Sequence, residues 1–462
     1  MRKIAAVVAL LALSLTAQRL ENWTQFGADT QRSSAPAGTT GVTAANVAAL
    51  QRHAVNLPGE VDASVIYLHG AQVHGATHNT IFATAIYGKT MAIDADSGTV
   101  LWVNTPPSFS ELAGTAQVTN TTPIADPDRQ AIYTMTPDGK VEKLAVSDGH
   151  TLWSTAITLL PRREKMDSPL NLYQGHLVAV TAGYIGDRPP YQGHVAILDA
   201  GSGKLEHVWN SLCSDRSALI EPSSCPESDS AIWGRSGAVV DPASGDIFVA
   251  TGNARWDGKT YWGDALIELD PEATRMLGNY TPSNTDQLND EDLDIGSTSP
   301  ALLGGDLIAQ GGKDGHIYLI SRKAIAGTEP HKDHEVQIVA TPSGTDLFTA
   351  LAVSHSGGGT WVFAADNGGT QAWKLVAGKL VSAWKNSTGG TSPVVAGGLL
   401  FVYAPGGGLH VYQPESGEQV AMVACGPGHW NSPIVVDGKI ILPEGSYRRH
   451  PSTGVLDIWS AH

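Results

Sequence analysis

The chain has 462 residues, a formal net charge of −16 and no Lys/Arg-rich run, which excludes a nucleic-acid binder held by a basic patch. Glycine is abundant (51) and Phe scarce (7), with 12 Trp, a composition suited to many short strands and tight turns rather than long helices. The length is ample for a large buried core, and a repeat architecture would hold it in one domain.

Taken from its start, the sequence opens with Arg2 and Lys3, an apolar run from Ile4 to Leu15 and a small-residue context at Ala17. This pattern predicts a secretory signal over residues 1–17, too short to span a bilayer, and no Cys follows it to carry a lipid. The mature chain, 18–462, is expected to be one exported domain, periplasmic or secreted, with no membrane span. Two short pieces come next, Asn22-Trp23-Thr24-Gln25-Phe26-Gly27 and the weakly amphipathic Val42 to Leu50.

One signal then recurs. A small or Pro-containing start leads into an apolar strand, a Gly turn and a second strand. The starts are Ala63-Ser64-Val65, Thr122-Pro123-Ile124, Ser168-Pro169-Leu170 and Ser236-Gly237-Ala238, followed by Ser299-Pro300-Ala301, Thr349-Ala350-Leu351, Ser392-Pro393-Val394 and Ser432-Pro433-Ile434. Counted between their hydroxyl residues, from Ser64 to Ser432, they are spaced by 58, 46, 68, 63, 50, 43 and 40 residues. A second signal, an Asp- and Gly-containing turn leading to a Trp, closes several units, most clearly in Ala92 to Trp102 and more loosely in Ala145 to Trp153, Ala196 to Trp209 and Val411 to Ala421, the last without the Asp or the Trp. Its Asp and Gly make a turn, and its Trp is available to pack between units. Units of this size with about four strands each predict an all-β, eight-bladed β-propeller of antiparallel blades. Seven blades or two stacked sandwiches are the alternatives. One of the N-terminal pieces is a candidate to complete the last blade and close the ring.

Of the three cysteines, Cys213 and Cys225 flank one polar loop and are expected to pair, leaving Cys425 as a buried thiol. His69, His74 and His78 are expected in loops. No zinc spacing, haem-attachment motif, GxSxG, HExxH or P-loop is present.

Ala231 to Lys323 concentrates chemistry-bearing types. It holds Trp233, Asn253, an acidic knot (Asp290, Glu291, Asp292, Asp294) and Lys313, spaced by short strands. An aromatic plate, an amide, carboxylates and a cation suit a flat, anionic, metal-bound ligand. The same residues are also ordinary furniture of loops.

The Trp23 to Gly27 and Asn46 to Leu50 pattern, the AIDADSGTVLW unit and the GGTSPVVAGGLLFVYAPGGGLHVYQPESG unit resemble the pyrroloquinoline quinone (PQQ) dehydrogenases and their PQQ-like propeller relatives. The resemblance implies specific roles. Trp233 is similar to the Trp that stacks under the quinone, and Asn253 in Thr251-Gly252-Asn253 to a calcium ligand. Asp294 is similar to the catalytic Asp, a base that also sits at the metal, and Lys313 in Gly311-Gly312-Lys313-Asp314-Gly315 to a quinone contact. Asp62 falls where several members carry an acidic residue near the cofactor. The implied activity is a PQQ- and calcium-dependent dehydrogenase oxidising an alcohol or polyol, with a separate electron acceptor because no haem domain is fused. The sequence departs from the family pattern in two ways. No Glu stands in Thr181 to Arg188, where Asp187 is the only carboxylate, and no two Cys are adjacent. These departures keep a second function open, a non-catalytic propeller that binds a protein partner in the cell envelope.

Overall fold

The computed structural model describes residues 18–184, 188–446 and 449–461; the expected signal and Asp187 lie outside them. Each of the eight small-residue starts leads into the first strand of a four-stranded antiparallel sheet. These inner strands are Ile66–Val73, Ile124–Ala125, Asn171–Tyr173, Val239–Val240, Ala301–Leu302, Ala352–Ser356, Val394–Ala396 and Ile434–Val436. Among the described residues the eight sheets form an eight-bladed β-propeller. A two-residue ribbon, Glu164–Lys165 against Ala182–Gly183, lies outside the blades.

The repeat signals have a packing origin. Small hydroxyl residues at the starts tie neighbouring blades together. Ser64 Oγ donates to the Ser432 carbonyl at 3.0 Å, Ser168 Oγ donates to the Gly234 carbonyl at 3.0 Å, and Ser392 Oγ accepts from the Ala350 amide at 3.0 Å. At the closing signal, the Trp of one blade covers the turn glycine of the next. A Cβ at Gly149 would fall 2.4 Å from Trp102, one at Gly203 2.4 Å from Trp153, and one at Gly417 2.5 Å from Trp384. All three glycines have φ near +70°, the left-handed conformation a side chain disfavours. The Trp102 indole N–H then donates to the Val146 carbonyl at 2.9 Å.

Ring closure uses the stretch just after the second N-terminal piece. Gln51–Leu57 pairs antiparallel with Gly454–Ser460, giving the last blade its fourth strand. Trp23 bridges instead to Tyr67 on the first blade and is buried. Cys213 and Cys225 form a disulfide, and Cys425 is half-buried. His69 and His78, expected in loops, sit on strands Ile66–Val73 and Ala76–Thr84, where Asp437 and Asp94 hold their Nδ1 atoms; only His74 is in a turn. No helix among the described residues is long and apolar enough to cross a membrane.

Candidate functional site

The loops that enter the inner strands meet around an axial cavity of about 1020 Å³. The stretch from Ala231 to Lys323 builds one wall. Trp233, Asn253, Asp292 and Lys313 all line the cavity. The local glycines explain the close assembly. A Cβ on Gly296 would fall 2.4 Å from the Thr251 carbonyl carbon, and one on Gly252 would meet the Asp294 carboxylate at 3.2 Å. The TGN and DLDIG motifs are therefore two backbones in contact, with the Asp294 carboxylate beside the bare Gly252.

Asp294 reaches the site but stands behind its surface. It is fully buried and is not among the cavity-lining residues. The Trp233 indole N–H donates to Oδ2 at 2.9 Å, and the Lys313 ammonium lies 2.6 Å from Oδ1. Lys313 also pairs with Asp292 at 2.6 Å and sits 5.4 Å from the Trp233 ring centre. Burial pushes the Asp294 carboxyl up, Lys313 and Trp233 pull it back, and the net shift is upward. Lys313 loses some basicity to burial but recovers more from Asp294 and Asp292, and its pKa is raised. Behind them Asp264 is buried with Oδ2 unpartnered; burial, then the Asp294 charge, push it well above the ordinary aspartate range.

This donor set does not fit calcium. Calcium takes six to eight oxygen ligands. The Asp294 carboxylate already faces an ammonium, and no group of three or more His, Cys, Asp or Glu able to hold a metal occurs among the described residues. Asn253 contributes its backbone carbonyl to the Ser230 amide at 3.0 Å. Glu164, across the ribbon from Gly183, is the acidic residue nearest in the sheet to the segment that lacked one. It is buried and committed elsewhere, with His194 Nε2 at 3.0 Å and the Gln192 amide donating at 3.0 Å. Asp62 also lies off the cavity surface, fully enclosed by Asn120, His429 and the Trp430 amide.

The aromatic surface of the wall suits a planar ligand better. Phe348 continues the aromatic surface from Trp233, with ring centres 5.9 Å apart, and Trp430 continues it from Phe348 at 6.2 Å. Lys165, Lys313 and Arg449 are cations on the cavity wall, which also carries Asp167, Glu291, Asp292, Asp346 and Asp366, with Lys165 paired to Asp167 at 2.7 Å. The buried Arg235 guanidinium stacks 5.0 Å from the Trp430 ring and donates to the Asp167 carbonyl, fixing the floor. Sequence reasoning missed Lys165, Phe348, His429, Trp430 and Arg449, which lie outside the stretch from Ala231 to Lys323 that carries the motifs.

Residues 23–218 and 358–449, more than half of the chain, match the PQQ_2 family model, described as outer membrane protein assembly factor BamB. The stretch with Trp233, Asn253, Asp294 and Lys313 lies between the two matched parts. Among solved structures, the fold is similar to quinohemoprotein alcohol dehydrogenase from Comamonas testosteroni, with TM-score 0.71 and 14% identity over 96% of this chain and 81% of that one. It is similar to quinohemoprotein alcohol dehydrogenase ADHIIG from Pseudomonas putida HK5, with TM-score 0.70 and 14% identity over 96% and 80%. A europium-containing methanol dehydrogenase gives TM-score 0.70 and 13% identity over 96% and 98%. No curated protein matches the sequence.

Proposed function

This chain belongs to the PQQ_2 family, and on that premise we propose that its axial cavity binds a planar, multiply anionic quinone of the PQQ class and that the loaded protein oxidises a small alcohol or polyol. The observation that carries the reading is the convergence of Trp233, Asn253 and Lys313 on one cavity that also holds Lys165 and Arg449. Trp233 offers a face for stacking. Arg449, with Lys165 and Lys313 shared with Asp167 and with Asp292 and Asp294, faces ligand carboxylates, and Asn253 offers an amide for a ring oxygen. Asp294 acts through its neighbours. It fixes the Trp233 ring by the indole hydrogen bond and holds Lys313 at the wall. A bound quinone supplies the hydride acceptor, the chemistry that the side chains lack. Electrons then leave to a separate acceptor, and the protein works after export.

Calcium is no part of this reading. Titration of the purified mature protein with PQQ, with and without calcium, tests it by quinone absorbance and Trp fluorescence. The expected result is saturable, calcium-independent binding that Trp233→Ala weakens at least tenfold. Absence of saturation up to tens of micromolar PQQ would sink the reading and leave a propeller whose ligand is a protein.

A further inference from the structure

The loops entering the sixth and seventh blades hold oxygen atoms that the protein itself leaves unused. Asp346 lines the cavity, and among the described residues nothing pairs with its carboxylate. Leu347 beside it is fully buried in the core between blades, and its neighbours Asp346 and Phe348 both face the cavity. Thr391, on the next loop, lines the same cavity; it is 3% exposed, and its Oγ1 has no hydrogen-bond partner. The Ala350 amide donates to Ser392 Oγ at 3.0 Å and so holds the two loops side by side. The other four carboxylates of the wall are committed. Lys165 holds Asp167 at 2.7 Å, Lys313 holds Asp292 at 2.6 Å, and Glu291 accepts from Gln287 Nε2 at 3.3 Å. Asp366 accepts from the Ser343, Gly368 and Gly369 amides at 2.6, 2.9 and 2.8 Å.

We propose that the cavity takes an amino polyol, with Asp346 and Thr391 receiving its ammonium group and the rings of Trp233, Phe348 and Trp430 its carbon face. As the substrate class this rests on the reading above; as a binding preference it stands alone. An ammonium has three N–H donors and no acceptor, so it suits a place where a carboxylate and a hydroxyl oxygen both stand free. The three rings are inclined, by 42° between Trp233 and Phe348 and by 67° between Phe348 and Trp430, so they curve around a ligand rather than form one flat plate. Ring faces attract a cation and stack on the apolar face of a polyol. Lys313 and Arg235 already lie 5.4 and 5.0 Å from the ring centres of Trp233 and Trp430, which leaves Phe348 as the ring of the three without a resident cation among the described residues. Asn253 and Asn367 line the same cavity and offer amides to hydroxyl groups. The wall carries five carboxylates against three cations, a field that draws a cation inward. Arg449 stands on a loop of the last blade, two blades on from Asp346, so a cavity of about 1020 Å³ offers opposite charges at separate places. A ligand carboxylate bound in the same cavity adds negative charge and strengthens the preference for an ammonium.

Calorimetric titration of the ligand-free protein with glucosamine and, separately, with glucose tests this. The two sugars differ by an ammonium in place of one hydroxyl. Glucosamine should saturate at millimolar concentration and bind about tenfold or more tightly than glucose, the scale of one charge-assisted hydrogen bond. Asp346→Asn keeps the size of a half-exposed side chain and removes its charge; it should erase that preference while leaving glucose within about twofold. Phe348→Leu should weaken both sugars by about fivefold. Thr391→Val should weaken glucosamine while leaving stability unchanged or higher, because it removes a buried hydroxyl that has no partner in the free protein. Equal affinity for the two sugars, a preference that survives Asp346→Asn, or no saturation by glucosamine at tens of millimolar would overturn the proposal. No quinone is present in these titrations. Failure of PQQ to bind would therefore strike the cofactor reading and leave the ammonium site standing, and failure of glucosamine to outbind glucose would strike the ammonium site and leave the cofactor reading. In PQQ-loaded protein with an artificial acceptor, Asp346→Asn should raise KM for glucosamine about tenfold with kcat within about twofold, and an unchanged KM would refute its role as substrate.

Discussion

Lys313→Met should cost the protein more than an ordinary surface substitution, and the cost should depend on pH in a specified direction. The Lys313 side chain is only 14% exposed and that of Asp294 1% exposed. Their 2.6 Å separation corresponds to about 6 kcal/mol of gross attraction at an effective dielectric constant of about 20. Desolvation of both groups returns part of this, and breaking such a pair by removing one partner costs about 3 kcal/mol or more. Methionine keeps the length and apolar stem, so the loss is electrostatic. Asp294 would be left with the Trp233 indole alone. Its pKa is already raised in the folded protein, and without Lys313 it rises further. A carboxyl raised on folding binds more protons in the native state, so its penalty is absent below the unfolded pKa and grows as pH rises through the folded value. The deficit of Lys313→Met relative to wild type should therefore be largest at neutral pH and shrink toward pH 4. The double variant Asp294→Asn/Lys313→Met should recover most of it, because neither charge is then orphaned. Urea unfolding of the four proteins of this cycle at pH 7.5 and pH 4.5 makes the measurement. A deficit independent of pH, or a double variant as unstable as Lys313→Met, would refute the buried-pair account.

Three further outcomes follow from the fold. Gly149→Ala should destabilise by about 2–4 kcal/mol, since its Cβ meets Trp102 at 2.4 Å in a left-handed turn, whereas Gly175→Ala, left-handed but with nothing within 4 Å, should cost only about 1 kcal/mol; urea denaturation separates them. Replacing Cys213 and Cys225 by Ser, 12 residues apart, should cost about 3 kcal/mol by loop entropy, read as a loss of the reductant sensitivity of the wild-type unfolding midpoint. Burial pushes Asp457 up to about 7 despite Arg52, so its contribution to stability should fall as pH rises from 4 to 7, and Asp457→Asn should flatten that slope in a melting-temperature series.

The propeller was legible because its repeat signals are physical contacts. Small residues at the inner-strand starts let blades approach, and the turn glycines Gly149, Gly203 and Gly417 each receive a Trp. Such features recur with the unit and stand out in one sequence. The wall built by Trp233, Asn253 and Lys313 was legible through motif resemblance, and all three reach the cavity. The position of Asp294 behind that wall was not, because it depends on a Lys313 rotamer and a bare Gly252 rather than on residue order. The arrangement of the expected calcium ligands was not legible for the same reason: an ammonium stands beside the Asp294 carboxylate. Cavity residues from other blades were overlooked, and the repeat marks only some of them. Counting back three positions from the hydroxyl residue of the eight starts reaches the cavity at Lys165, Trp233, Asp346 and His429 and misses it at Val61, Thr119, Gly296 and Gly389. At four blades, then, the repeat that predicts the fold also marks a residue of its centre.

That indexing ties the site to ring closure. Asp62 and His429 are 367 residues apart in sequence, one just before the first blade and the other just before the last. They meet because Gln51–Leu57 pairs with Gly454–Ser460 and so delivers the following loop, with Asp62 in it, to the last blade. The same seam holds Ser64 against the Ser432 carbonyl and Asn431 against the carbonyls of Val61 and Ala63. A closing strand is usually explained by the exposed edges it removes. Here it also sets the distance between a buried carboxylate and a cavity imidazole, so loosening the seam would disperse the dyad before any blade unfolds. The wall of Trp233 and Lys313 draws its parts from consecutive blades and is indifferent to closure. The two walls of the cavity therefore depend on different parts of the fold, and changes confined to the seam should disturb the Asp62–His429 pair while leaving the stacking face in place.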